Sequence, residues 1–119
     1  MARMSIRIDL DQDGRLGPGK VDLLEHIAAC GSISAAGRAM SMSYRRAWQL
    51  VADLNANFTE PLVIAQMGGR QGGGARLTTF GAQLVSNYRA IEREAQAAVA
   101  PRLKALEEAA IPCSGRHMK

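Results

Sequence analysis

Residues 31–55 hold two stretches of helical periodicity separated only by Ser41-Met42, and nothing else in the chain constrains its fold as strongly. Helices joined so closely must cross at an angle. The first starts where the hydroxyls of Ser32 and Ser34 can cap free backbone amides, and runs to about Met40 with Ile33, Ala36 and Met40 turned inward. Ser43 can cap the second, which spans Tyr44 to about Asn55. At about 100° per residue, Ala47, Leu50, Val51 and Leu54 share one side and form its core face. Counted from Ala47, Arg45 falls near about 160°, Gln49 near about 200° and Arg46 near about 260°, so these groups make an exposed basic face.

The flanking segments complete a recognisable order. Ser5 to Leu10 alternates apolar Ile6, Ile8 and Leu10 with Arg7 and Asp9, which predicts a short half-buried strand, and Asp11 to Gly19 has the composition of a loop. Pro18 suits a helix entry, and Lys20 to Cys30 carries Val21, Leu24, Ile27 and Ala28 at helical spacing before Gly31 provides a left-handed stop. Pro61 to Ile64 reads as a strand, Gly68 to Gly74 as a flexible loop and Ala75 to Leu77 as the returning strand. Thr78 can cap a last long helix in which Phe80, Leu84, Tyr88, Ile91, Ala95, Val99, Leu103 and Leu106 recur every third or fourth residue. Pro101 predicts a kink or break in it, and the tail from Ile111 to Lys119 is expected to fray. The fold class is therefore mainly α with a small β wing, a winged helix-turn-helix plus a long C-terminal dimerisation helix. Its expected divisions are 1–78, 79–110 and 111–119.

Fifteen Lys and Arg against eleven Asp and Glu leave +4, a mild bias toward polyanions. Cys30 and Cys113 have neither zinc-ligand spacing nor a disulfide framework, which fits a reducing cytoplasm. No apolar run reaches a membrane span, and Met1 to Gly14 lacks a signal-peptide core. His26, beside Asp22 and Glu25, and His117 have no evident catalytic partners, so no enzyme is expected.

The basic face suits the major groove of duplex DNA, where Arg45 and Arg46 can pair with guanine and Gln49 with adenine. From this helix alone, an ordinary solvated face is an equal alternative. Glycines in Gly68 to Arg76 let backbone amides, Arg70 and Arg76 approach phosphates, as Ser43 and Tyr44 can from the helix start. That loop lacks the Gly-Lys-Ser/Thr ending of a nucleotide-binding loop. Trp48, at the border of core and exposed face, is expected to pack against the wing or the first helix in preference to touching DNA.

The run from Gly31 to Trp48, Gly-Ser-Ile-Ser-Ala-Ala-Gly-Arg-Ala-Met-Ser-Met-Ser-Tyr-Arg-Arg-Ala-Trp, resembles the N-terminal domain of ModE-type molybdate-responsive regulators and, more distantly, the LysR-type DNA-binding head. The resemblance extends through Gly68-Gly69, Gly72-Gly73-Gly74-Ala75 and Leu77-Thr78-Thr79-Phe80-Gly81. It implies a homodimer that binds an inverted-repeat operator of molybdenum-related genes, with Tyr44 to Asn55 as recognition helix and Gly68 to Arg76 as wing. ModE-type proteins bind molybdate in a separate C-terminal domain, for which 119 residues leave no length. No cofactor, and no direct molybdate binding, is therefore expected, which leaves room for a separate sensor protein. The competing reading is a winged-helix protein-interaction module; arginines converging on one side would favour DNA, and an exposed apolar face a protein.

Overall fold

The computed structural model describes residues 2–11, 14–66 and 73–112. Along the chain lie β1 (Ile8–Asp9), β2 (Arg15–Leu16), α1 (Pro18–Cys30), α2 (Ile33–Ala39), α3 (Tyr44–Asn57), β3 (Val63–Gln66), β4 (Gly74–Leu77) and α4 (Thr79–Ala109). The strands form two antiparallel pairs, β1 with β2 and β3 with β4, the latter in the register Val63↔Leu77 to Gln66↔Gly74. The fold is a winged helix-turn-helix followed by a long helix.

Helix boundaries follow from local chemistry. Pro18 opens α1 two residues before the periodicity, because its fixed φ suits a first helical position and its missing donor costs nothing there. Gly31 ends the helix at φ 75°, a left-handed conformation that favours glycine. The predicted caps hold: the hydroxyl oxygens of Ser32, Ser43 and Thr78 accept from the amides of Ala35, Arg46 and Gly81. Between α2 and α3 the turn is tightened by Ser41 at φ 58° and by the Met42 amide donating to Gly37 O. Gly37 lets the two helices close, since a Cβ there would stand 3.0 Å from that of Ala47.

Val21, Leu23, Leu24 and Ile27 of α1 pack with Ala36 of α2, the Ala47, Leu50, Val51 and Leu54 face of α3, and Leu62, Val63 and Ala75 of the wing. Leu23 belongs to this core, whereas Ala28, which shares the apolar spacing of α1, is exposed in its last turn. The Ala75 amide donates to the Gly31 carbonyl, hanging β4 on the end of α1.

Three expectations about extent are corrected. The Ser5–Leu10 strand pairs only at Ile8–Asp9, and its partner Arg15–Leu16 lies in the segment read as loop; the Leu10 amide donates to Gly14 O and folds the chain back. The wing strand begins at Val63, not Pro61, because the Leu62 and Val63 amides donate to Asn55 Oδ1 at 2.8 and 3.2 Å while Asn55 Nδ2 donates to Val63 O. No break occurs at Pro101: α4 continues to Ala109, and the carbonyl four residues back belongs to exposed Ala97, where water can replace the lost donor. The tail beyond Pro112 lies outside the described residues.

Asn55→Ala removes all three of those bonds at once and leaves two amides of a part-buried turn without their acceptor. A loss of about 1–3 kcal/mol is expected in urea unfolding, with the wing strands the first to lose hydrogen-exchange protection.

The start of α4 is fastened to this unit. Buried Tyr88 donates its hydroxyl to the Ile6 carbonyl, and burial pushes the phenol pKa up. Arg89 bonds Asp22 and Glu25 of α1 and Glu92 of its own helix; the bonds to Glu25 and then Glu92 raise its already high pKa. Farther along, Ile91 and Leu106 are exposed, so the apolar stripe outruns the core.

Candidate nucleic-acid interface

The core face of α3 decides what the opposite face offers. With Ala47, Leu50, Val51 and Leu54 buried, Arg45, Arg46 and Gln49 come out exposed, as the helical angles predicted, and Tyr44 is exposed beside them. Ser43 is exposed at the N-cap, its Oγ accepting from the Arg46 amide at 3.0 Å, which fixes the helix start and leaves the hydroxyl proton free to donate. Gln49 Nε2 donates to Asp53 Oδ1 at 3.1 Å, one turn along the exposed face. Arg76 is exposed on β4, paired across the wing with Ile64, and among the described residues its guanidinium donates only to the Leu77 carbonyl, at 3.4 Å. Arg70, and with it the wing tip from Gly68 to Gly72, lies outside the described residues.

Trp48 is less covered than the sequence reading expects: it faces the wing but is 52% exposed, lining a groove of about 440 Å³ between α3 and the wing strands. The wing residues that line the groove beside it include Ala65, Gly73 and Gly74, too small to cover an indole. Tyr44, one turn earlier and 58% exposed, lines the same groove. The wing flank of α3 is thus aromatic.

The other flank is basic. Arg46 borders a second groove, shared with Arg7 and Arg15 of the N-terminal hairpin segment and Lys20 of α1. Alternation in Ser5–Leu10 turned Arg7 outward, but no sequence signal placed the hairpin next to α3. Among the described residues no group of three or more His, Cys, Asp or Glu is arranged to hold a metal, and no helix is long and apolar enough to cross a membrane.

The pattern of the bacterial regulatory helix-turn-helix proteins of the lysR family matches residues 19–82, which contain all of α2, α3 and both wing strands. The chain belongs to that family. Among characterised relatives it is 42% identical over 99 residues to the molybdenum transport protein ModE of Azotobacter vinelandii, covering 83% of this chain and 36% of that one. It is 36% identical over 87 residues to the DNA-binding transcriptional dual regulator ModE of Escherichia coli K12, covering 73% of this chain and 33% of the relative. The chain thus spans about a third of the length of the relatives it matches. The resemblance read from residues 31–48 is borne out. Among solved structures, the CbnR DBD–DNA complex is similar with a TM-score of 0.55 at 20% identity, over 75% of this chain and 95% of that one, a likeness of fold. Full-length LysG from Corynebacterium glutamicum has a TM-score of 0.51 at 26% identity, over 72% of this chain and 29% of that one.

Proposed function

We propose that this chain is a sequence-specific DNA-binding transcription regulator of molybdenum-related genes, acting without catalysis in the cytoplasm as a homodimer on an inverted-repeat operator. The single observation that carries the reading is the exposed face of α3, where Arg45, Arg46 and Gln49 stand on a helix whose other side is locked in the core. A helix so held can enter a major groove without rearrangement, Arg45 and Arg46 reading guanine and Gln49 adenine. Ser43, Tyr44, Arg70 and Arg76 contact phosphates and set the register. Residues 1–78 form the DNA-binding part, and the helix from Thr79 onward pairs two copies through the stripe that Ile91 and Leu106 expose. Two recognition helices then stand roughly 34 Å apart, one DNA turn. The molybdenum assignment rests on the ModE relatives, whose names connect them with molybdenum transport and DNA-binding regulation.

Selection from a random duplex library by the purified chain at near-physiological salt tests this. The expected result is enrichment of an inverted repeat with half-sites one turn apart. Binding without enrichment would leave an architectural protein, and no binding would overturn the reading in favour of protein docking through Tyr44 and Trp48.

A further inference from the structure

The groove on the hairpin flank of α3 is a built feature that the helix-turn-helix does not require. Its volume is about 480 Å³, it is lined by Arg7, Arg15, Lys20 and Arg46 together with residues that include Met42 and Leu50, and among the described residues no carboxylate lines it. Arg7 and Arg15 precede the span matched by the family pattern, which begins at residue 19. The Lys20 ammonium donates to the Arg15 carbonyl at 2.7 Å and so ties the hairpin to the start of α1. Among the described residues Arg15 and Arg46 have no ion-pair partner, and Arg7 has only Asp9 at 3.0 Å, in a pair whose side chains are 61% and 60% exposed. An exposed pair of that kind contributes little and yields readily to a stronger anion.

A helix in the major groove has a phosphate strand on either side of it, because the groove is about 12 Å wide and bounded by both backbones. The wing lies on one flank of α3 and the hairpin on the other. We propose that the β1–β2 hairpin is a second phosphate clamp, in which Arg7, Arg15 and Lys20 hold the DNA backbone strand on the side of the recognition helix away from the wing. This rests on the DNA-binding reading. It adds a binding surface continuous with the α3 face, and its occupant follows from charge: a polyanion laid along a cationic rim.

The test is duplex binding by the full chain, measured by fluorescence anisotropy between about 50 and 200 mM salt on a duplex recovered from the selection. R7A/R15A is expected to bind more weakly on every sequence, with its sequence preference unchanged and its log–log salt slope shallower by about 3.6, about 0.9 for each of the phosphates that the two protomers of the dimer no longer neutralise. Over that salt range the affinity of the dimer then falls about 150-fold less than that of the wild type. R7K/R15K, which keeps both charges, restores the slope, and Arg93→Ala, on the α4 face away from Tyr88 and Ile91, leaves it unchanged. A wild type that binds with the same slope and affinity as R7A/R15A overturns the clamp while the DNA-binding reading stands. A wild type that binds no duplex overturns both.

Discussion

Arg45→Ala and Arg46→Ala are each expected to weaken binding to the preferred operator by about 1–3 kcal/mol for each half-site, roughly 5- to 150-fold per half-site, and to relax sequence preference at the base pair each side chain meets. The size follows from what is removed: a guanidinium carried on a helix that the core holds in place, able to form two parallel bonds to one base and replaced by nothing. Both residues sit in the first turn of α3, whose start is pinned by the Ser43 cap, so little ordering remains to be done on binding. Arg76→Ala should behave differently. In the proposed mode it contacts the phosphate backbone from the wing strand, so its removal should lower affinity equally for preferred and scrambled duplexes. Quantitative binding to both duplexes separates the two patterns. Unchanged affinity in both helix variants would show that α3 does not dock by this face.

Gly81→Ala is expected to be strongly destabilising where α4 starts against the wing. A Cβ at this position would stand 2.2 Å from the Leu62 carbonyl oxygen and 3.0 and 3.2 Å from its carbonyl carbon and Cα. The obstacle is backbone, and it cannot swing aside, because the same Leu62 carbonyl accepts from the Thr78 amide while the Leu62 amide is held by Asn55. Relief therefore requires moving the first turn of α4 off the wing, dragging with it the Thr78 hydroxyl, which donates to Pro61 O at 2.8 Å. A loss of about 3 kcal/mol or more is expected in urea unfolding, at the upper end of what overpacking costs. Gly19→Ala is the matching control: it adds the same methyl where nothing lies within 4 Å, and should leave stability unchanged or slightly higher. Equal effects of the two would show that the α4–wing approach is looser than described.

What was legible in the chain is what depends on neighbours a few residues away. Ser32, Ser43 and Thr78 cap the helices they were expected to cap, and Gly31 turns left-handed after α1, because a cap needs only its own helix start and a stop only its own last turn. The angular arithmetic on α3 separated buried Ala47, Leu50, Val51 and Leu54 from exposed Arg45, Arg46 and Gln49 for the same reason: a rigid 3.6-residue repeat leaves one choice of inward face. Trp48 lay on the boundary of that arithmetic, where the size of the facing side chains decides burial, and Ala65 and Gly74 come from strands many residues away.

The tertiary structure alone decided the contacts that join distant segments: Asn55 locking the turn into the wing, Gly81 admitting α4 beside Leu62, Tyr88 reaching Ile6, and the hairpin arginines arriving next to Arg46. Sequence by itself determined the helices, their order, the wing and the polarity of the face that meets DNA in the proposed mode. Alternation in a strand says which side of it is wet but not which element lies across from it, since that depends on the path of the whole chain and on packing that carries no periodic signature.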